Sequence, residues 1–161
     1  MHCRVPAVGH AGPVVRLLRA RFEKLDAPTL HDLVRLRIDV FVVEQQCPYE
    51  ELDGRDTEPD TVHVWAKDGG AVVAYLRVVA EPDGQRRIGR VCVSTSHRGR
   101  GVAAELMAAG LAACRDHAPE AAVVLDAQVY LVGWYERLGF VVDGDEFVED
   151  GIPHRPMRRG S

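Results

Sequence analysis

The residues whose types and spacing favour chemistry are concentrated between positions 86 and 105. Arg86, Arg87, Arg90, His97, Arg98 and Arg100 fall in this stretch, and no acidic residue stands between Asp83 and Glu105. An apolar run ending in Val91-Cys92-Val93 gives way to a loop holding Gly99 and Gly101, and then to an Ala-rich segment that favours helix. Strand, glycine loop and helix start together present unpaired backbone N–H groups and a positive helix end to an anion. Glycine lets the backbone approach closely, and arginines add charge-assisted hydrogen bonds. The chemistry implied is local binding of a phosphate group.

Two phosphate-binding arrangements fit these letters. Gly99-x-Gly101-x-x-Ala104 satisfies the dinucleotide fingerprint, and Asp126, at the end of a later strand, could serve as its ribose-binding acid. Four residues, Thr95 to Arg98, separate Ser94 from the first glycine, however, where that fingerprint expects the turn directly after the strand. The segment before it also reads as a meander rather than a second βαβ unit. Arg98-Gly99-Arg100-Gly101-Val102-Ala103 alternatively matches R/Q-x-x-G-x-G/A.

The elements that must position this loop can be read from periodicity. Residues 18–25 alternate as a first strand. Pro28 opens a helix in which Leu30, Leu33, Val34, Ile38 and Phe41 recur at spacings of three and four, ending near Gln45 before Pro48. Residues 62–66, 71–80 and 87–94 form a meander punctuated by Asp68-Gly69-Gly70 and Pro82-Asp83-Gly84. The second long helix follows Gly101 and ends near Asp116. Residues 121–125 make a buried strand and 130–138 a short helix ended by Gly139, and two closing strands flank Glu149-Asp150-Gly151. The predicted order is β-α-β-β-β-α-β-α-β-β in one α/β domain over residues 18–161, after a loosely ordered extension at 1–17.

Composition limits the remaining possibilities. With 161 residues, 47% apolar content and mean hydropathy −0.12, the chain can bury a sizeable core. Its net charge of −4 gives no general attraction to nucleic acid or to an anionic membrane. No apolar run approaches the roughly 20 residues of a bilayer span, and no secretory signal is evident. Cys3, Cys47, Cys92 and Cys114 are widely spaced, which argues against a zinc site or a disulfide framework and for free thiols in a cytoplasmic protein; no metal site is expected. Cys47 reads as a buried thiol, or as a reactive one beside an acidic loop. Carboxylates crowd residues 44–60 and 143–150, which are either solvated loops or the rim of a site that attracts cations. The closing strands offer an edge for a homodimer.

The 98–103 loop, with this element order, resembles the acyl-CoA-binding motif of the GNAT superfamily of N-acetyltransferases, and the resemblance runs from about residue 18 to residue 158. Trp134-Tyr135-Glu136-Arg137-Leu138-Gly139-Phe140 is similar to the superfamily's Y-x-x-x-G-F signature. Val40 to Gln45, Cys47-Pro48-Tyr49, Leu52-Asp53-Gly54 and Asp150-Gly151-Ile152-Pro153-His154 resemble the ElaA-type branch. The resemblance implies acetyl-CoA as co-substrate, with the pyrophosphate held by N–H groups of Arg98, Gly99, Arg100, Gly101, Val102 and Ala103. It implies that Val91, Cys92 and Val93 splay from the next strand to meet the pantetheine arm, and that an N–H near Val93 polarises the thioester. An amine, from a small molecule or a peptide, then attacks directly in a ternary complex, and Tyr135 protonates the departing thiolate. Gln128 stands where many members carry asparagine, seven residues before the tyrosine. The motif dictates no general base; Glu44, at the mouth of the cleft, comes first, ahead of His63 and Asp126 as acceptor-site candidates. A silent acyl-CoA-binding or sensor module would share the same loop.

Overall fold

The computed structural model describes residues 15–161, so the extension expected at the N-terminus lies outside the described residues as far as residue 14. The first strand, β1 (Arg16–Arg21), starts two residues earlier than expected and ends in a single 3-10 turn, Phe22–Lys24. Helix α1 (Ala27–Arg37) is nucleated by Asp26, whose side chain accepts from the Thr29 N–H at 2.7 Å, and by Pro28 in its first turn.

The helix does not run regularly to its end. Residues Ile38–Glu44 widen into a π-helix, and the Gln45 N–H reaches back five residues to Val40 O at 3.1 Å. The buried stripe is Leu33, Leu36, Arg37 and Val40, one α-helical face with an arginine in it, while Ile38, expected inside, is 37% exposed.

Strands β2 (Val62–Asp68), β3 (Ala71–Ala80) and β4 (Arg86–Val93) form the expected antiparallel meander, with β1 on the outer side of β2. After helix α2 (Val102–His117) comes β5 (Val123–Gln128), the one strand that lies parallel to its neighbour, β4. Helix α3 (Val132–Arg137) leads to three closing strands rather than two: β6 (Val141–Val142), β7 (Phe147–Glu149) and β8 (Ile152–Arg159). The mixed sheet runs β1-β2-β3-β4-β5-β8-β6, with β7 on the same side of β8 as β6.

Strand alternation gives the sheet two cores. Val64, Leu76, Ile88, Leu125 and Met157 pack under α2 and α3, whereas Trp65, Tyr75 and Cys92 pack under α1. Helix α2 lies so close to β3 that a Cβ at Gly110 would fall 2.9 Å from a Leu76 methyl, so any side chain there would have to displace the buried Leu76. No described helix is long and apolar enough to cross a membrane.

Candidate active site

The site begins with a defect in β4. Tyr75 pairs with Cys92 and Arg77 with Gly89, so Arg90 and Val91 together face Leu76 in a β-bulge. Arg90 has φ +55°, a left-handed conformation that costs a non-glycine residue about 1–3 kcal/mol. Its side chain is anchored by Glu51 at 2.9 Å and Asp53 at 3.4 Å, and its guanidinium lies 5.0 Å from the centre of the Tyr49 ring. Beyond the first rungs the parallel pairing fails: β4 meets β5 only at Arg86↔Val123 and Arg87↔Val124. Residues 88–93 part from β5, which continues to Gln128 paired with β8 alone. The splay expected for Val91, Cys92 and Val93 is therefore present, and it leaves a slot between the strand ends.

The glycine loop lies at the end of that slot. A 3-10 turn, Thr95–His97, carries the chain to Gly99 (φ +71°) and Gly101 (φ +81°), both in the left-handed region that glycine tolerates. Gly101 is the N-cap of α2 and among the described residues no side chain caps the first turn, so N–H groups at Val102 and Ala103 remain for a ligand. Among the described residues nothing lies within 4 Å of a Cβ placed on either glycine, so the loop has open space where an anion could approach. These features fit a pyrophosphate.

The open cationic patch expected from the run of arginines does not form, because Arg87, Arg90, His97 and Arg98 each meet an acid from elsewhere. Arg87 pairs with Glu81 and Asp126 at 2.6 Å each, Arg90 with Glu51 and Asp53, and His97 Nε2 lies 2.9 Å from Asp68. Arg98 grips Glu44 bidentately at 2.6 and 2.8 Å and donates from Nε to Val93 O at 3.0 Å. Its guanidinium thus straps the loop to the end of β4 and to the π-helix rather than standing free for phosphate. Arg100 is exposed and in no ion pair among the described residues.

The base and acceptor candidates are corrected by the same contacts. The hydrogen bonds from Arg98 hold the Glu44 carboxyl below its usual range, which weakens it as a base. His63 is 1% exposed; its Nε2–H donates to Asp56 O at 3.0 Å and its Nδ1 accepts from the Tyr75 hydroxyl at 2.7 Å, while burial lowers its pKa. It is a core residue, walled off from any acceptor. Asp126 is taken up by Arg87. Gln128 ends β5 at the slot and donates to Gln45 Oε1 at 3.4 Å.

Tyr135 is 5% exposed, edge-on to Trp134 and Phe140, and burial pushes its hydroxyl up to about 12. It therefore stays protonated at neutral pH. The thiols of Cys92 and Cys47 are buried and raised, Cys92 to about 12, so neither is a ready nucleophile. The acidic run at 44–60 is consumed as well: Glu51, Asp53, Asp56 and Glu58 pair with arginines 37, 55, 77 and 90. The carboxylates at 143–150 are exposed and in no ion pair among the described residues. Sequence reasoning missed Gln45 and His154; the segment holding His154 was legible as a motif, but its role needs the strand register.

A slot between splayed strands ending at an uncapped helix N-terminus defines an acyl-CoA N-acyltransferase fold, and residues 29–160 match the model of the acetyltransferase (GNAT) domain. The chain belongs to the GNAT acetyltransferase family. Within it, the relatives include a UPF0039 protein of Mycobacterium tuberculosis, 46% identical over 89% of this chain and 92% of that protein. ElaA of Escherichia coli is 40% identical over 84% of this chain and 90% of its own length. Among solved structures, an acyl-CoA N-acyltransferase from Pseudomonas aeruginosa superposes with a TM-score of 0.87 at 40% identity, covering 91% of this chain and 99% of that one. The crystal structure of Escherichia coli ElaA gives 0.86 at 37% identity, covering 90% and 99%. Family and neighbours support acyl transfer from an acyl-CoA, on the fold that the sequence predicted.

Proposed function

We propose that this protein transfers an acetyl group from acetyl-CoA to an amine by direct attack within a ternary complex. The observation that carries the reading is the loss of β4–β5 pairing after Arg87 and Val124, next to the uncapped, glycine-bounded start of α2. Backbone N–H groups of the 98–103 loop hold the pyrophosphate, aided by the α2 dipole and Arg100. Unpaired backbone at Val91, Cys92 and Val93 receives the pantetheine arm, and an N–H near Val93 polarises the thioester carbonyl. Acetyl-CoA supplies the activated acyl carbon and a thiolate leaving group. Tyr135, a phenol protonated at neutral pH, gives its proton to that thiolate. Gln128 and Gln45 line the far side of the slot.

Direct attack suits the thiols present, since the buried, strongly raised Cys92 is unfit to carry an acyl group. The acceptor is an amine-bearing metabolite, polyamine or peptide amine. The exposed carboxylates at 143–150, rather than the neutralised run at 44–60, favour a cationic partner. A panel of amines screened for acetyl-CoA-dependent release of free thiol, at low and high salt, tests the reading. Release with cationic amines that weakens with salt is expected; release with neutral or anionic acceptors alone, or none, contradicts it.

A further inference from the structure

The acyl-transfer reading above requires a group to take a proton from the acceptor ammonium, and Glu44, His63 and Asp126 are all engaged elsewhere. We infer that His154 is that base, through Nε2. The inference rests on that reading and names the residue it leaves open.

His154 lies on β8, where Met157 points into the core under α2 and α3, so strand alternation turns His154 to the opposite, α1 face. Its cross-strand partners are Gln128 on β5 and Phe147 on β7. Gln128 is the last residue of β5 at the slot and bonds Gln45 at the end of the π-helix. Hydrogen bonds link Val93 O to Arg98, Arg98 to Glu44, and Glu44's neighbour Gln45 to Gln128, whose strand partner is His154, along the strand ends where the thioester and amine are to meet.

The ring is held in a specific state. His154 Nδ1 lies 2.8 Å from Ile152 O, and a carbonyl only accepts, so Nδ1 carries the hydrogen and the neutral ring keeps its lone pair on Nε2. Among the described residues Nε2 has no hydrogen-bond partner. Phe147 stacks on the ring at 5.7 Å between centroids and 22° between planes, and the Cys47 thiol donates to Asp150 O at 3.3 Å, tying the turn before His154 to the loop after the π-helix. The side chain is half-buried: fixed, but open to a ligand.

The proton balance closes with the groups named. The attacking nitrogen starts as R–NH3+ and loses two protons as the C–N bond forms and the C–S bond breaks. His154 Nε2 takes the first and passes it to water. The second replaces the hydroxyl proton that Tyr135 gives to the departing sulfur, so one proton is released per acyl group transferred.

His154→Asn keeps an N–H for Ile152 O but removes the basic nitrogen. With an alkylammonium acceptor, kcat should fall about 10²- to 10⁴-fold, while acetyl-CoA affinity by calorimetry and the melting temperature stay near wild type. With an aromatic amine or an arylhydrazine, neutral at the assay pH, the loss should be less than about tenfold, since no ammonium proton must be removed before attack. Equal losses with both acceptors, or none with either, would overturn the inference. His154→Gln serves if the asparagine variant fails to fold. If the wild-type protein acylates no amine, the acyl-transfer reading falls by itself. Nitrogen-15 NMR of the histidine ring in the unmodified protein then decides the tautomer: a protonated Nδ1 with bare Nε2 is expected, and a neutral ring protonated at Nε2 overturns the assignment.

Discussion

Two polar regions share the α1 face of the sheet and use the same residue types to opposite ends. Beneath the loop after the π-helix, Arg37, Arg77 and Arg90 meet Glu51, Asp53 and Asp56, three cations against three carboxylates. Arg37 is 1% exposed, and its Nε, Nη1 and Nη2 bond Glu51 Oε1, Asp56 and Glu51 O, with Tyr75 under the guanidinium. Tyr49 donates to the same Glu51 carboxylate. At the slot, by contrast, the Arg98–Glu44 pair is over 40% exposed on both sides, α2 starts uncapped, and His154 Nε2 is unbonded. Where buried charges are paired with one another they clamp the fold; where pairs are exposed and backbone groups are left over they can meet a ligand. The clamp also serves the slot, because Glu51 and Asp53 hold Arg90 in the strained bulge from which β4 diverges.

The clamp can be broken first and with the largest effect. Arg37→Ala takes a buried cation from Glu51 and Asp56, leaving them to Arg90 and Arg77, and should lower stability by about 3–5 kcal/mol in chemical denaturation. Acid should loosen the same region in a defined window. Burial alone would raise Asp53, but hydrogen bonds from Arg77 bring it from 3.8 to about 2, so its contribution is complete above pH 4 and is lost as pH falls toward 2. Burial also lowers His63 from 6.5, so the stability it contributes as a neutral ring is lost as pH drops below 6.5, and His63→Gln should flatten that part of a stability-against-pH curve.

At the slot, Tyr135→Phe should cut kcat about 10²-fold or more with acetyl-CoA affinity nearly unchanged by calorimetry. Loss of neither would point instead to a binding module. Gly101→Ala forces a side chain to φ +81°, which should cost about 1–2 kcal/mol in denaturation and weaken acetyl-CoA binding more than Tyr135→Phe does. Glu44→Gln should be mildest: stability within about 1 kcal/mol, because the pair is exposed, with a raised KM for acetyl-CoA as Arg98 loosens. A collapse of kcat alone would return Glu44 to the role of base.

What was legible in the sequence was local. Gly99 and Gly101, the meander turns and the stop at Gly139 are fixed by backbone conformation over a few residues, and the loop, strands and Tyr135 helix follow. What was not legible depends on pairs distant along the chain. Glu44 reads as a free carboxylate until Arg98 comes across from the start of α2, and the arginines after position 86 read as a patch until Glu81, Glu51, Asp53 and Asp126 fold onto them. Arg37 takes the buried stripe position beside Leu36 and leaves Ile38 outside, which apolar periodicity does not mark. His154 sits in a recognisable segment, yet its tautomer follows from one carbonyl and its place from cross-strand register.

The most direct measurement is the initial rate of thiol release over a grid of acetyl-CoA and alkylamine concentrations. Saturation in both, with reciprocal plots that intersect, is the expected result for a ternary complex in the β4–β5 slot. Release that ignores the amine, no release at all, or parallel lines that require an acyl-enzyme would contradict it.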